Sequence, residues 1–424
     1  MTTRTSRIFT LSALFAAMIP AMQASAAGFQ VAEHSAAGLG RAFAGEAAVA
    51  NDASVVARNP AGMTRLDSTT VTVVGSYIAP EVKLENSQGS SEGSKSVANE
   101  AFVPAAYVVM PVDEKLAVGF GANTNFGFTT NVGSNSTLTT MAEKSEIISM
   151  NLNASIAYEF NDRLSAGFGL NAVHTEAALI RGFGSEPGMG PLDPVLANQS
   201  VLDIEGDDWG FGWNAGVLFK MTPSTDIGFS YRSEVKQKLE GKSEPTLAAM
   251  NPMPGLGDKI LVGPGHVDLN LPAIAELSVN HQLTDSVSIQ ASWMRTYWSS
   301  FEEINIDLDH DKGIVEPQNW EDVDRISLGA TWQYSDKLAL RTGIAKDESP
   351  VPNAEHRYFS IPDGDRMWYT VGASYIMDEH HSVDFGYAYL QGNSEDVTHY
   401  TGQVIGEVAE SSAHIFSAQY NYRF

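Results

Sequence analysis

Apolar residues recur at every second position along most of this chain. The pattern is clear in "TVTVVGSYI" at 70–78, "SMNLNASIAYEF" at 149–160 and "SVDFGYAYL" at 382–390, where Ser, Asn, Gly and Thr fill many of the positions between. A period of two is that of a β-strand with one apolar face and one small or polar face. The chain is therefore predicted to be all-β.

The spacing of the turns indicates how the strands are joined. Short polar connections alternate with longer stretches rich in Gly, Pro, Ser and Asp, and they separate about fourteen alternating runs. An even number of antiparallel strands, with short turns at one end and long loops at the other, is typical of a bacterial outer-membrane barrel. Residues 67–424 are therefore predicted to form a transmembrane antiparallel β-barrel of about 14 strands in the cell outer membrane.

The N-terminus has the features of a secretory signal. Arg4 and Arg7 precede an apolar run that ends at Ala24-Ser25-Ala26, and this small-x-small cleavage pattern predicts a signal peptide over residues 1–26. A membrane anchor is the alternative, but the run is shorter than the roughly 20 apolar residues of a spanning helix. An exported chain that enters a bilayer without such a helix is left with a closed barrel.

Composition excludes several classes of function. The chain has no cysteine, which removes disulfides and thiolate metal sites, and its net charge of −25 disfavours binding to nucleic acid. The Gly-rich "GFGANT" at 119–124 lies inside an alternating run and does not open a helix, so it is not a dinucleotide-binding loop. The sequence has no nucleophile elbow. We predict no enzyme activity, no catalytic residue, no cofactor and no metal site.

A barrel of about fourteen strands encloses a lumen that its own side chains do not fill. Residues 27–66 are too irregular for strands and too rich in small residues for a separate core, so we predict that they form a plug, or hatch, inside the lumen. Within it, "RNPAG" at 58–62 is predicted to be a rigid turn, because Pro60 fixes its own φ and biases Asn59 away from helix. An unplugged lumen would instead indicate a general diffusion porin.

Aromatic residues lie near the ends of the predicted strands. The chain closes on "HIFSAQYNYRF", and its terminal Phe424 resembles the signal by which the barrel assembly machinery recognises its substrates. Amphipathic rings favour the headgroup region of a bilayer. We expect this position for Trp209, Trp213, Trp293, Trp298, Trp332 and Trp368.

Several short blocks of the chain resemble one family. They are "AGFQ" at 27–30, "GLGRAFAGE" at 38–46, "ARNPA" at 57–61, "WGFGWNAG" at 209–216, "YRSEVK" at 231–236, "LNLP" at 269–272, and "RTGIA" with "SPVP" at 341–352. Together they span essentially the whole mature chain, and they resemble the outer-membrane long-chain fatty-acid transporters of the FadL family. The resemblance implies a barrel plugged by an N-terminal hatch, with a lateral exit made by an inward kink of the third strand. Gly119, Gly121 and Gly127 would permit that bend.

The resemblance also implies a ligand site. Arg181 matches an arginine near the ligand head group, where a guanidinium suits a carboxylate that cannot enter a dry site alone. Pairing with a loop acid and snorkelling at the rim are the alternatives for Arg181. The family's assisting lysine aligns with Glu316 here, so Arg325 or Lys346 would have to replace it. Phe29 matches the hatch aromatic that touches the ligand tail, and plug packing is its alternative role.

Four further residues match positions that the family uses for gating. Asn59, Pro60 and Ala61 match the hatch motif beside the strand kink, and Gly216 matches a position beside the lateral opening. Close strand packing explains Gly216 equally well. Apolar residues in the long stretches 183–206 and 243–265 indicate either a first capture groove on the outward loops or mutual packing of those loops.

These inferences combine into one functional prediction. Passive uptake of long-chain fatty acids across the outer membrane would proceed by loop capture, lumenal binding, hatch rearrangement and lateral exit. The expected partners are long-chain fatty acids, outer-membrane lipid and lipopolysaccharide, and the chain is expected to act as a monomer. The alternatives are uptake of aromatic or other hydrophobic compounds, a general diffusion porin, a surface receptor or adhesion protein, and a lipolytic enzyme.

Overall fold

The computed structural model describes residues 28–86, 96–132, 143–183, 196–247, 262–308, 311–358, 360–398 and 404–424. The predicted signal peptide lies outside these residues, as do parts of the long connections. Among the described residues, no helix has the length and the hydropathy needed to cross a membrane.

In the described part of the chain, twenty β-strands form one antiparallel sheet. They are β1 (Thr70–Asn86), β2 (Ala101–Pro111), β3 (Leu116–Asn123), β4 (Gly127–Asn131), β5 (Lys144–Asn161), β6 (Leu164–Gly182), β7 (Ser200–Thr222), β8 (Thr225–Arg232), β9 (Val235–Ser243), β10 (Gly263–Leu271), β11 (Ile274–Thr284), β12 (Val287–Thr296), β13 (Glu303–Leu308), β14 (Asp311–Pro317), β15 (Val323–Gln333), β16 (Leu338–Asp347), β17 (Arg366–Ile376), β18 (His381–Gly392), β19 (Glu395–Thr398) and β20 (Val404–Arg423).

The sheet closes into a barrel because β1 pairs with β20, from Thr70 opposite Arg423 onward. Several strands of the barrel wall are interrupted, so that two successive β-strands lie end to end and together form one strand of the wall. These pairs are β3 with β4, β8 with β9, β10 with β11, β12 with β13, β14 with β15, and β18 with β19. The wall is therefore a closed antiparallel barrel of 14 strands, and the predicted fold class is confirmed.

The apolar face of the sheet points outward. On β5, Leu152 and Ile156 are exposed on the outer surface, whereas Asn151 and Asn153 are buried in the interior. The Asn153 amide donates a hydrogen bond of 2.8 Å to Asn214 on β7. An apolar outer band around a polar interior is the arrangement of outer-membrane barrels.

The predicted aromatic girdle is wrong for two tryptophans. The outward-facing ones are Trp209, Trp213, Trp293 and Trp332, whereas Trp298 and Trp368 are fully buried. Trp298 lies beyond the end of β12, in the 3-10 helix Trp298–Ser300, so the alternation of the strand no longer sets the direction of its side chain. Trp368 points inward because its neighbour Tyr369 points outward.

Residues 28–66, called the N-terminal segment below, are almost entirely buried. The segment contains two short α-helices, Ala36–Leu39 and Val55–Arg58, and the 3-10 helix Pro60–Arg65. Side chains of the adjacent strands β1 and β20, and of β12 elsewhere in the wall, accept hydrogen bonds from its backbone. The acceptors are Gln419 on β20 for Ala36 (2.9 Å), Ser292 on β12 for Gly45 (2.8 Å) and Thr72 on β1 for Ala53 (3.1 Å). The barrel wall thus surrounds the segment.

Glycines of the wall allow the N-terminal segment to approach closely. A Cβ atom placed on Gly228 would lie 1.8 Å from the carbonyl oxygen of Ala47, and one on Gly372 would lie 2.7 Å from the Cα atom of Gly40. A Cβ atom on Gly343 would lie 2.3 Å from the backbone of Arg41. Any larger residue at these wall positions would displace the segment.

Candidate functional site

The third strand of the wall is interrupted where it meets the N-terminal segment. β3 ends at Asn123 and β4 begins at Gly127, and the backbone between them bonds to the segment. The amide of Val31 donates to the carbonyl of Asn125 (2.8 Å), and the amide of Gly127 donates to the carbonyl of Phe29 (2.7 Å). The segment therefore replaces a neighbouring strand at this point.

This interruption opens the wall beside β2. The ladder between β2 and β3 runs only from Ala106 opposite Ala122 to Pro111 opposite Ala117. The first residues of β2, at 101–105, pair with β1 but with no strand on the other side among the described residues. A single bridge between Ala98 and Thr130 closes the opening toward the long-loop end. The wall thus has a lateral gap bordered by the N-terminal segment.

Phe29 is fully buried in a group of aromatic rings next to that gap. Its ring centroid lies between 4.6 and 6.0 Å from those of Phe126, Phe128, Trp298, Phe301 and Trp320. Edge-to-face and tilted contacts at such distances are favourable for aromatic pairs. We call these six residues the aromatic cluster. Phe29 therefore packs the N-terminal segment against the wall.

An apolar cavity of about 70 Å³ lies beside the aromatic cluster. Its lining includes Phe128 and Phe301 of the cluster together with Ile147, Leu239, Leu269, Ile304 and Ile361. The mostly apolar lining is typical of a small-molecule site, but such sites are about 300–1,000 Å³, so the cavity would have to widen to admit a ligand of that size. Phe29 contacts two of the lining rings, so a change at Phe29 would reach the cavity through one layer of side chains.

Arg181 on β6 forms an ion pair with Glu316 on β14. The Arg181 Nη2 atom donates to Glu316 Oε1, and both side chains are mostly buried. Leu179, which shares the face of Arg181, lines the cavity, and so does Ile304, which is opposite Glu316 in the sheet. The ion pair therefore lies next to the cavity. Arg181 pairs with an acid of a strand rather than of a loop.

The two cations considered as substitutes for the missing lysine make other contacts. Lys346 is exposed and pairs with Glu348 at 2.9 Å. Arg325 is buried with its guanidinium 4.3 Å from the ring centroid of Trp368, and it donates to the carbonyl of Ala42 (3.3 Å). Neither contacts Arg181 or Glu316 in the described hydrogen bonds and ion pairs.

Asn59, Pro60, Ala61 and Gly216 come together at one contact. The Asn59 side chain accepts from the amide of Ala61 (3.1 Å) and donates to the carbonyls of Ala47 (2.6 Å) and Val217 (3.1 Å). A Cβ atom on Gly216 would lie 1.9 Å from Asn59 Oδ1. Asn59 thus caps the 3-10 helix and ties the N-terminal segment to β7.

This contact does not border the lateral gap. Gly216 lies on β7, which β5 and β6 separate from the interrupted third strand. The backbone of Pro60 lies against Gly167 of β6, where an added Cβ atom would be 2.5 Å away. The residues that border the gap are instead those around Phe29 and Val31.

The predicted capture groove can be followed only in part. Leu196 and Leu247, one from each long stretch, are buried in one small apolar cluster with Phe183 and Val201. This contact is the mutual loop packing that was the alternative. The other apolar residues proposed for the groove lie outside the described residues, except for residues of the strand ends.

A cluster of buried charges joins the N-terminal segment to the barrel wall, and no pattern in the sequence predicts it. Glu46 accepts from Arg41 Nη2 (2.6 Å) and lies 3.0 Å from His34 Nε2. Arg58 donates to His34 (2.8 Å) and lies 3.9 Å from Glu276 of β11. These residues are spread over a segment without periodicity, so no spacing could have indicated that they meet.

Two neighbouring residues of the cluster have opposite pKa shifts. Burial raises the pKa of Glu33 from 4.5 to about 7, and burial, assisted by Arg58, lowers the pKa of His34 from 6.5 to about 4. The Glu33 contribution to stability is therefore present below pH 4.5 and is lost as the pH rises to about 7. The His34 contribution is present above pH 6.5 and is lost as the pH falls to about 4. Between pH 4.5 and 6.5 the two effects oppose each other.

Single substitutions are expected to reveal these two opposing effects. Glu33→Gln should make the free energy of opening of the N-terminal segment rise with pH over that window, and His34→Gln should make it fall, each by up to about 1.4 kcal/mol per pH unit. Hydrogen exchange of the Leu39 and Gly40 amides measures this free energy. Glu379→Gln, at an exposed short turn, is the control. Variants that all keep the wild-type slope would contradict the prediction.

The chain is similar to proteins of known name along almost its whole length. Residues 17–424 match the family described as "Outer membrane protein transport protein (OMPP1/FadL/TodX)". A long-chain fatty acid transport protein of Escherichia coli O6:H1 is 35% identical over 448 residues, covering 98% of this chain and 99% of that protein.

Two solved structures share the fold. A FadL homologue of Pseudomonas aeruginosa is 25% identical with a TM-score of 0.80, covering 94% of this chain and 100% of that one. The toluene transporter TodX of Pseudomonas putida is 19% identical with a TM-score of 0.65, covering 88% of this chain and 94% of that one.

Proposed function

This chain belongs to the OMPP1/FadL/TodX family of outer membrane transport proteins, and we propose that it carries long-chain fatty acids passively across the outer membrane. As a member of this family it is an outer-membrane channel for hydrophobic substrates. The proposal names the substrate, the binding site and the route. It rests above all on the apolar cavity, which lies between the Arg181–Glu316 pair and the aromatic cluster.

The apolar lining of the cavity suits the tail of a fatty acid, and the cavity would widen as the tail enters. Burial of each methylene group is worth about 0.8 kcal/mol, so a tail of about sixteen carbons could gain on the order of ten kcal/mol in apolar surroundings. A polar head group next to Arg181 would keep its hydrogen-bonding partners while the tail is dry. Binding of the tail is thus easy, and release is the step that the protein has to provide.

We infer that release depends on the N-terminal segment acting as a hatch. Phe29 contacts the cavity lining on one side, and its own carbonyl bonds to Gly127 at the lateral gap on the other. Displacement of Phe29 would therefore open the cavity toward the gap beside β2. A lateral path into the outer leaflet spares the apolar tail the polar, water-filled space at the short-turn end.

Other proposed partners concern assembly and the membrane. Phe424 is exposed at the end of β20, where the barrel assembly machinery could reach it. The apolar outer face fits outer-membrane lipid and lipopolysaccharide, and a single chain forms the closed barrel. We therefore propose a monomer as the functional unit.

A Gram-negative host without its own fatty-acid transporter tests the proposed substrate. Expression of this chain is expected to restore growth on hexadecanoic acid as sole carbon source and to restore uptake of the labelled acid. Planar bilayers with the purified protein should hardly conduct ions, because the N-terminal segment fills the lumen. Growth equal to that with an empty vector would contradict fatty-acid uptake, and large ion currents would favour a diffusion porin.

Arg181→Ala separates fatty-acid uptake from hydrocarbon uptake. Loss of a charged hydrogen-bond partner, worth about 1.5–3 kcal/mol, should weaken binding of hexadecanoic acid about 10- to 100-fold and leave toluene binding unchanged. Arg163→Ala, at an exposed turn, is the control. The double variant Arg181→Ala/Glu316→Ala tests whether the loss comes only from the stranded Glu316 charge. Unchanged binding of the acid in both variants would count against the head-group assignment.

A further inference from the structure

The contact between Arg181 and Glu316 leaves hydrogen-bonding capacity unused. Arginine and carboxylate side chains often pair through two parallel bonds, but here a single described bond joins Arg181 Nη2 to Glu316 Oε1. Arg181 Nε and Glu316 Oε2 are buried and have no partner among the described residues. One donor and one acceptor are therefore unmatched on the same ion pair, beside the cavity.

Neighbouring groups do not fill these places. The Tyr358 hydroxyl donates to the carbonyl of Pro317 (3.0 Å), and Lys144 pairs with Glu146 at 2.9 Å. A buried donor or acceptor without a partner costs about 1–3 kcal/mol. A ligand head group that both donates and accepts would remove this cost for both atoms.

The charges around the cavity disfavour an anionic head group. The charged residues that line it in the described part of the chain are Glu146 and Asp268, both acidic. Glu316 already balances the charge of Arg181, so a carboxylate placed between them would be repelled by one about as strongly as it is attracted by the other. The anion would still lose its hydration on entering.

We propose that the Arg181–Glu316 site takes a neutral head group that is both donor and acceptor, a protonated carboxylic acid or a hydroxyl, in preference to a carboxylate anion. The hydroxyl of the ligand donates to Glu316, and its oxygen accepts from Arg181. Glu316 is therefore the residue that makes the site prefer a neutral ligand to an anionic one. The inference rests on the proposed function, because it takes the cavity as the site of the tail.

Ligands that share a sixteen-carbon tail and differ in the head group test the inference on the purified full chain. The probes are hexadecanol, methyl hexadecanoate, and hexadecanesulfonate, which is a permanent anion. We expect hexadecanol to bind on the order of tenfold more tightly than the sulfonate, and the ester, which lacks a donor, to lie between them. Equal or tighter binding of the sulfonate by the wild-type protein would overturn the inference.

A charge variant provides the second, independent readout. Glu316→Gln removes the opposing charge and should abolish the preference for hexadecanol, because the sulfonate gains on the order of tenfold over wild type. Glu303→Gln, which removes one exposed charge on β13, is the matched control and should keep the wild-type order. An unchanged order in Glu316→Gln would also overturn the inference. Failure of every sixteen-carbon probe to bind would instead contradict the proposed function.

Discussion

Phe29→Ala is expected to speed hydrogen exchange of the Val31 and Gly127 amides about a hundred- to a few-thousand-fold. The substitution removes a fully buried ring from contact with five others, and a cavity of this kind costs about 3–5 kcal/mol. The loss falls on the bonds between the N-terminal segment and the interrupted third strand, because Phe29 lies between them. Amide exchange at these two positions measures the opening directly.

The same variant should also weaken ligand binding, since two rings that contact Phe29 line the cavity. Phe385→Ala is the matched control, because Phe385 points to the outer surface and its truncation touches neither the segment nor the cavity. Exchange rates in Phe29→Ala within a few-fold of wild type would show that the aromatic cluster does not hold the segment in place. Equal acceleration in both variants would indicate a general loss of stability.

Asn59→Ala is expected to lower fatty-acid uptake about tenfold or more while the barrel stays folded. The variant loses the hydrogen bonds of Asn59 to Ala47 and Ala61, which are buried, and to Val217, which is partly buried, and each buried group left without a partner costs about 1–3 kcal/mol. Because β7 keeps its strand partners, the loss falls on the position of the segment. Uptake of labelled hexadecanoic acid and the resistance of the barrel to heat in detergent measure the two properties separately. Pro60→Ala, which frees the φ angle of the turn, is expected to act in the same direction.

A substitution of Gly216 provides a second test of the contact between Asn59 and β7. A methyl group there would overlap Asn59 Oδ1, so Gly216→Ala should resemble Asn59→Ala, and the double variant should be hardly worse than either because the overlap disappears with the amide. Asn51→Ala, at an exposed position of the same segment, is the control. Fully additive losses, or a barrel that no longer folds, would assign this contact to packing and assembly alone.

The number of strands could be predicted from the sequence because each strand has its own alternation of apolar and polar residues. Leu152 and Ile156 point to lipid in any sheet that buries Asn151 and Asn153, whatever the neighbouring strands are. The break after β10 also has a local cause, since Pro272 cannot donate to a ladder. At the break between Asn123 and Gly127, the backbone forms hydrogen bonds with Phe29 and Val31, which are far away in the chain. The place of this break therefore could not be derived from the local sequence.

The residues of the site were harder to predict from the sequence than the strands of the wall. Arg181 and Glu316 could be singled out only by resemblance, because Glu316 is 135 residues away on a strand that is not a neighbour of β6. Contacts across a lumen follow neither the period of a strand nor the register of a hairpin. The same reason explains why the buried charges around Glu46 could not be predicted. The burial of Trp298 could not be derived from strand alternation either, because Trp298 lies in a 3-10 helix after β12 has ended.

The wall glycines have a consequence for how the N-terminal segment can move. Where Gly228, Gly343 and Gly372 face it, the segment touches bare backbone, so no side chain of the wall interlocks with it there. A body resting on such a surface can tilt or slide without any rotamer of the wall having to change. The wall therefore offers little resistance to movement of the segment at these positions, and a single methyl group added to one of them would block that movement.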